Sequence, residues 1–206
     1  MKAKVILIAV AFVLCMMVCQ TGCILKEKVI EIVLTNETCV DFEEFSEYAV
    51  WAGQPVSVDF AEEIEDVLED AGVSRSEIKH AVVVSASYGV TDFQQVDDWV
   101  ISGAVEVRRT DVPDGPDTVL AYSTQSVRDA LGRMIRADLY KPGVELLSRA
   151  LEDFTDNVNP ILEFTVLNGD VDPDPQVRGV PIDFKWKACL VMHIVVVQDL
   201  EVPDPF

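Results

Sequence analysis

Most strands of this chain are indicated by apolar residues at every second position, because side chains along a β-strand alternate between two faces. The long C-terminal segment shows the pattern best, since one of its faces is apolar from Ile182 to Val196. Its other face begins polar and becomes apolar towards Val197, which predicts a strand buried on both sides in its second half. The predicted strands are Lys28–Thr38, Ile78–Val90, Trp99–Arg109, Thr118–Ser123, Ile161–Leu167 and the segment from Ile182 onwards.

A different period, with apolar residues three or four positions apart, predicts a helix that begins at Asp59. The Asp59 side chain can cap the first turn, Glu62 stands three residues later as in a capping box, and Gly72 fits the end of the helix. The apolar stripe that this helix would bury consists of Ile64, Val67, Leu68 and Ala71.

Two further helices are predicted in the middle of the chain. Ser126–Leu139 carries apolar residues at helical spacing, and the pattern resumes in Val144–Phe154. The tripeptide Lys141-Pro142-Gly143 between them is interpreted as a break, since proline and glycine interrupt helices.

Strands flank these helices without a regular strand–helix–strand alternation, which favours an α+β fold with a mainly antiparallel sheet and helices packed on it. Ile78–Val90 and Trp99–Arg109 are expected to pair as antiparallel neighbours. On the first of them the predicted core face holds Val82, Val84, Ala86, Tyr88 and Val90. A β-sandwich with helical insertions is the alternative.

The N-terminus has the layout of an export signal. Lys2 and Lys4 precede an apolar run of 15 residues from Val5 to Cys19. A helix needs about 20 apolar residues to span a bilayer, whereas the apolar part of a cleaved signal has about 7–15. The run therefore favours a cleaved signal.

The residues that follow, Thr21-Gly22-Cys23, resemble the end of the lipobox of bacterial lipoproteins, although Gln20 stands where that family usually has an aliphatic residue. The resemblance implies a signal peptide at 1–22, a lipid on Cys23 and a tether at 23–27. The length of the remaining chain predicts one acidic α+β domain at 28–206. Ile24, which follows in place of aspartate, implies the outer membrane if the cell has one. An ordinary secretory signal and an uncleaved anchor are the alternatives.

The charge of the chain limits its partners. Removing residues 1–22, which hold two lysines and no acid, changes the formal net charge from −20 to −22. Such a surface repels nucleic acids and anionic lipid headgroups and suits cations or basic partners. We expect the membrane to be reached through the N-terminal lipid, with an envelope protein as a possible partner and no nucleic acid; any small-molecule ligand is unknown.

The cysteines bear on the compartment. Of the five cysteines in the chain, three follow the signal. With lipid on Cys23, the pair Cys39 and Cys189 remains as a disulfide candidate in an oxidising compartment. Two separate buried thiols are the alternative.

A calcium site is the strongest metal candidate in the sequence. Asn168, Asp170, Asp172 and Asp174 alternate in a predicted loop at 168–181, where their oxygens could surround Ca²⁺. The EF-hand pattern is not met, because Pro173 and Gly179 occupy the positions of its glycine and glutamate. An acidic, proline-stiffened turn is the alternative, and no other cofactor is expected.

No catalytic signature is recognised in the chain. His80 and His193 lack further ligands for a zinc site, and Ser76 with Lys79 is an isolated Ser-x-x-Lys spacing without its partner motifs. The first hypothesis is therefore a non-enzymatic envelope protein with a binding or structural role. An exported hydrolase that uses carboxylates and a calcium-dependent binding module are the two alternatives.

Overall fold

A computed structural model describes residues 28–113, 115–124 and 126–200. The predicted signal peptide at 1–22, the lipidation site at Cys23 and the tether at 23–27 lie outside the described residues. No helix in the described ranges is long and apolar enough to cross a membrane.

The described chain folds into strands connected by a few helices. The strands are β1 (Lys28–Ser46), β2 (Val50–Trp51), β3 (Val56–Asp59), β4 (Ile78–Asp92), β5 (Val100–Arg109), β6 (Asp117–Thr124), β7 (Ile135–Leu139), β8 (Ile161–Asp172) and β9 (Ile182–Leu200). The helices are α1 (Phe60–Ala71), α2 (Val127–Ala130), α3 (Lys141–Thr155) and α4 (Pro175–Arg178), with one 3-10 turn at Arg75–Glu77.

The strands form one sheet in the order β1-β9-β4-β7-β6-β5-β8-β2, and β3 also pairs with β8. Every pairing between these strands is antiparallel. The sheet curls into a half-barrel, and its helices are a minor part of the fold. The prediction of a mainly antiparallel sheet is therefore confirmed.

The core lies on the concave side of this sheet. All eight predicted inward positions of β9 are buried: Ile182, Phe184, Trp186, Ala188, Leu190, Met192, Ile194 and Val196. The inward positions predicted on β8, which are Leu162, Phe164 and Val166, are buried as well. Alternation thus predicted the faces of these strands correctly.

Helix α1 begins and ends where its capping residues predict. The Asp59 side chain accepts hydrogen bonds from the backbone N–H groups of Ala61 at 3.1 Å and Glu62 at 3.2 Å. Gly72 follows the helix with a φ of 68°, a left-handed conformation that glycine adopts without steric cost. Ile64 and Leu68 bury the apolar stripe against the core.

The predicted pairing of β4 with β5 is wrong. β4 pairs with β9 and β7, whereas β5 pairs with β6 and β8. Alternation along a strand records which side chains are buried but not which strand lies beside it, so a short connection was mistaken for a hairpin.

The predicted core face of β4 is wrong in its first half. Val82 and Val84 are exposed, and Val83 is buried in their place. A register shift against β9 between Val83 and Ser85 moves later residues to the opposite face, so Ala86, Tyr88 and Val90 are buried as predicted. A β-bulge has this effect because it inserts one extra residue into one strand.

The predicted helix at Ser126–Leu139 is replaced by the single turn of α2 and the strand β7. Gly132, with a φ of 73°, lies between them. The tripeptide Lys141-Pro142-Gly143 does not break a helix; it begins α3, because proline is tolerated in the first turn. A Cβ on Gly143 would lie 2.5 Å from the Val119 Cα, so glycine lets α3 approach β6 closely.

Two strands are longer than predicted. β1 extends into the unassigned acidic segment 41–51 and ends at Ser46. β8 extends into the predicted loop 168–181 and ends at Asp172. In the added part of β1, buried Phe42 and Glu44 alternate with exposed Glu43 and Phe45. A buried carboxyl in this alternation concealed the pattern.

Candidate functional site

The most unusual polar group on the concave side is the carboxyl of Glu44. The alternation of β1 points Glu44 inwards, and the residue is only 5% exposed. The indole Nε1 of Trp186 on β9 donates a hydrogen bond to Glu44 Oε1 at 3.4 Å. Buried carboxyls are rare in protein interiors unless they are hydrogen-bonded or neutral.

Aromatic side chains surround this carboxyl. The Trp186 ring stacks on Phe42 at a centroid distance of 4.7 Å and lies 4.6 Å from the ring of Tyr122. Tyr122 in turn lies 5.6 Å from Tyr88, whose hydroxyl donates to the backbone carbonyl of Ser123. We call Glu44, Trp51, Tyr122 and Trp186 the inner cluster.

Glycines on neighbouring strands make room for the inner cluster. A Cβ on Gly169 would lie 2.4 Å from Trp51 Cε2, and a Cβ on Gly103 would lie 2.7 Å from the Tyr122 hydroxyl oxygen. These separations are far below van der Waals contact. The aromatic rings therefore pack directly on the backbone of β5 and β8.

Burial dominates the electrostatics of the inner cluster. Removal from water raises the pKa of the Glu44 carboxyl above its ordinary value of 4.5, and hydrogen bonding from Trp186 and then the Trp51 indole partly opposes the rise. Burial also raises the pKa of Tyr122, and the nearby Glu44 raises it further. The cluster thus favours a protonated carboxyl and a neutral phenol, since a charge without solvent is costly.

One donor in the cluster, the Tyr122 hydroxyl, has no hydrogen-bond partner among the described residues. Two surface depressions of the described structure, both lined by Arg108, lie away from the cluster. Because burial raises the pKa of its carboxyl, the inner cluster takes up a proton more readily than an exposed glutamate does.

A buried arginine that the sequence did not single out ties β5 to α3. Arg109 is 6% exposed, its Nε donates to Asp111 at 3.0 Å, and its guanidinium also pairs with Asp153. The two carboxylates hold the pKa of Arg109 well above its usual range. This ion pair is structural, because both acids are occupied by one cation.

On the convex face, Cys39 and Cys189 form a disulfide with an S–S distance of 2.04 Å. The two residues are direct partners in the register of β1 and β9. A carboxylate oxygen of Glu37 and the two sulfurs all lie within 4.8 Å of one another.

The structure does not gather the calcium candidates into one group. Asp170 and Asp172 lie along β8, opposite Ser102 and Val100 of β5, and Asp174 caps α4 by accepting from the Gln176 backbone N–H at 2.9 Å. Within the described ranges, Asp170, Asp172 and Asp174 do not form a group of metal-ligating side chains whose ligand atoms lie within 4.8 Å of one another.

The other sequence candidates are also separate. His80 lies opposite Val195, and His193 lies opposite Val82 in the pairing of β4 with β9. Neither histidine belongs to a group of three metal-ligating side chains within the described ranges. Ser76 lies in the 3-10 turn with its hydroxyl 2.9 Å from that of Ser74, and Lys79 is paired with Glu31.

Comparisons with known proteins do not reveal a family. No protein-family model matches the chain, and no curated protein matches it. A solved structure of Desmodium yellow mottle tymovirus matches with a TM-score of 0.26 and 10% sequence identity, over 98% of this chain and 99% of that chain. A likeness with so low a TM-score carries no argument about fold or function.

Proposed function

We propose that this chain is an exported protein of the bacterial cell envelope, anchored by lipid on Cys23, with a non-enzymatic binding or structural role. The observation that carries the proposal is the sequence Thr21-Gly22-Cys23, which follows the apolar run 5–19 after the single residue Gln20. A diacylglycerol with an added acyl chain would anchor the protein stably, since each buried methylene contributes about 0.8 kcal/mol.

The convex-face disulfide supports an oxidising location. Cys39 and Cys189 are bonded, and disulfides persist outside the reducing cytosol. β1 begins at Lys28, five residues after Cys23. A tether of that length reaches at most about 17 Å, so the anchor would hold the β1 end of the sheet close to the membrane.

We also propose that the domain belongs to the α+β class, with helices packed on the sheet. The buried stripes of α1 and α3 support this assignment, because each helix directs apolar residues towards the core: Ile64 and Leu68 from α1, and Leu147, Leu151 and Phe154 from α3.

The binding or structural role is preferred to the hydrolase for a specific reason. A glycosidase-like mechanism needs two carboxyl groups beside a cleft. Glu44 has the raised pKa expected of a general acid, but burial raises it and no second carboxylate contributes, while two indoles partly oppose the rise. The calcium-binding module is not preferred either, because its candidate acids Asp170, Asp172 and Asp174 do not gather into one group of ligands in the described ranges.

Intact mass and membrane fractionation of the expressed full chain test the anchor. We expect a mass that lacks residues 1–22 and includes acyl chains, and we expect the protein in the membrane fraction. Cys23→Ala should remain unlipidated, whereas the matched variant Cys19→Ala should behave like the wild type. A Cys23→Ala protein that is processed and retained like the wild type would refute the proposal, as would an unmodified full-length wild-type mass.

A further inference from the structure

Beyond the function proposed above, we propose that Glu37, Cys39 and Cys189 form a redox-controlled binding site for a thiophilic divalent cation, represented by Zn²⁺. The observation is geometric: a carboxylate oxygen and two sulfurs on the convex face all lie within 4.8 Å of one another. We call these residues the convex triad. The proposal concerns the reduced protein, because a disulfide sulfur is not a thiolate ligand.

The sheet itself brings the convex triad together. Cys39 and Cys189 are opposite each other in the register of β1 and β9, and Glu37 precedes Cys39 by two residues on the same strand. Residues two apart on a strand share a face, so Glu37 stands beside Cys39. Because 19 consecutive residue pairs join the two strands, the positions of all three ligands depend on the register rather than on a mobile loop.

Once the disulfide is reduced and its two sulfurs move apart, the convex triad can reach the spacing of tetrahedral Zn²⁺. Zn–S bonds are about 2.3 Å long and Zn–O bonds about 2.0–2.2 Å, which places the ligands of one ion about 3.6–3.8 Å apart. Three protein ligands leave the fourth position of the tetrahedron for water. Two soft thiolates combined with a hard carboxylate favour Zn²⁺ over Cu⁺, which prefers sulfur alone.

Access and charge favour the same cation. Glu37 is exposed at the surface, although Cys189 is only 1% exposed, so an ion would enter from the side of β1. The formal net charge of −20 raises the local concentration of cations. His193 is four residues from Cys189, about 13 Å along the strand, and therefore supplies no fourth ligand.

Opening the Cys39–Cys189 disulfide requires a reductant, and we name a dithiol as that reductant. The dithiol transfers two electrons to the Cys39–Cys189 bond and becomes a disulfide, while two protons convert the separated sulfurs to thiols. Zn²⁺ then binds both sulfurs as thiolates and releases those two protons to water. Reoxidation by a small-molecule disulfide reverses the step: that disulfide accepts the two electrons and two protons from water and becomes a dithiol, the Cys39–Cys189 bond forms again, and the ion is released.

The test uses the full chain in nonionic detergent, reduced and then freed of reductant without oxygen. Co²⁺ is the probe, because its thiolate complexes absorb by charge transfer, and Zn²⁺ is added in competition. We expect one Co²⁺ per reduced chain, displaced by Zn²⁺, and none in the oxidised chain. Near-ultraviolet circular dichroism follows the folded state of the same samples.

Matched variants separate the convex triad from general binding. Asp41 flanks Cys39 on the other side and faces Lys187, outside the triad. Glu37→Gln should weaken Co²⁺ binding by about 10- to 100-fold, while Asp41→Asn, with the same change of charge, should stay within about twofold. Cys39→Ala/Cys189→Ala retains the other cysteines and should lose the charge-transfer absorption.

Several outcomes would overturn the proposal. Equal binding by oxidised and reduced protein would show that the thiols are not ligands. Equal losses of Co²⁺ affinity in Glu37→Gln and Asp41→Asn would show that Glu37 acts only through surface charge and is not a ligand. A reduced chain that unfolds and does not refold with Zn²⁺ would also overturn it, because the triad depends on the paired strands. None of these results bears on the lipid anchor.

Discussion

The disulfide between β1 and β9 should provide a large part of the stability of this domain. β1 is the end strand of the sheet and pairs along its length only with β9. Cys39 and Cys189 are separated by 150 residues in sequence, so the bond closes most of the described chain into one loop. The double variant Cys39→Ala/Cys189→Ala removes this cross-link but leaves the backbone pairing of β1 with β9 possible.

The magnitude follows from the loop length. In the chain-entropy model, a cross-link over about 150 residues removes about 17 cal/mol/K from the unfolded state, or about 5 kcal/mol at 25 °C. A typical domain has a free energy of unfolding of about 5–15 kcal/mol. With a urea m-value of about 2 kcal/mol/M, the unfolding midpoint should fall by about 2.5 M.

Urea unfolding followed by tryptophan fluorescence measures this fall, because Trp99 and Trp186 are each 1% exposed in the folded protein. The oxidised chain, the reduced chain and the double variant are compared with a chelator present. The reduced chain and the double variant should share the lower midpoint, and reductant should not affect the double variant. A fall of less than about 0.5 M would refute the loop-entropy reasoning.

The remaining predictions concern the inner cluster, a helix cap and calcium. The pKa of Glu44 is raised in the fold, so ionisation of this carboxyl destabilises the folded protein as pH rises from 4.5 through the raised value. The free energy of unfolding falls by about 1.4 kcal/mol for each tenfold difference in proton affinity between the folded and unfolded states. Glu44→Gln should therefore be more stable than the wild type at neutral pH and equal to it in acid, as measured by urea unfolding across pH. Gly169→Ala should destabilise by about 1–3 kcal/mol, because its Cβ would meet Trp51 at 2.4 Å. Asp59→Ala should cost about 1 kcal/mol in the same assay through loss of the α1 cap. Added Ca²⁺ should leave the melting temperature unchanged, because Asp170, Asp172 and Asp174 do not gather into one group of ligands in the described ranges.

Each of these predictions has a contrary outcome. A Glu44→Gln variant whose advantage does not grow with pH would show that folding does not raise the pKa of the Glu44 carboxyl. Gly72→Ala is the control for Gly169→Ala, because a Cβ at Gly72 would contact no neighbouring atom. Its own cost comes from the left-handed φ of residue 72, which alanine adopts less readily than glycine. Equal stability of Asp59→Ala and wild type would show that the Asp59 cap does not stabilise α1. A clear rise in melting temperature with Ca²⁺ would support the calcium-binding hypothesis.

The candidate site was only partly visible in the sequence. Both cysteines were singled out because they remained as a pair after the signal, but nothing local placed Glu37 beside them. Sequence reasoning missed Glu44 because an acid in a strand usually faces water and because the acidic and aromatic segment 41–51 is hard to assign to an element. The signal that could have revealed Glu44 is the alternation along β1, which places Phe42 and Glu44 on the same buried face.

Local patterns in the sequence determined those elements whose side chains report directly on burial or capping. The inward face of β9 and both ends of α1 are of this kind, since alternation and capping act over a few residues. The segment 135–139 shows where such signals end. Its apolar residues Ile135, Ala137 and Leu139 fit a strand, whereas Ile135 and Leu139 alone also fit a helix, so local sequence could not decide between them.

Only the tertiary structure decided which strands are neighbours, where β4 shifts its register and which side chains meet across the sheet. β7 exists as a strand because it pairs with both β4 and β6. Glu44 meets Trp186 and Cys39 meets Cys189 at sequence separations of 142 and 150 residues. Such contacts depend on the summed burial and pairing of the whole sheet, which no short stretch of sequence contains.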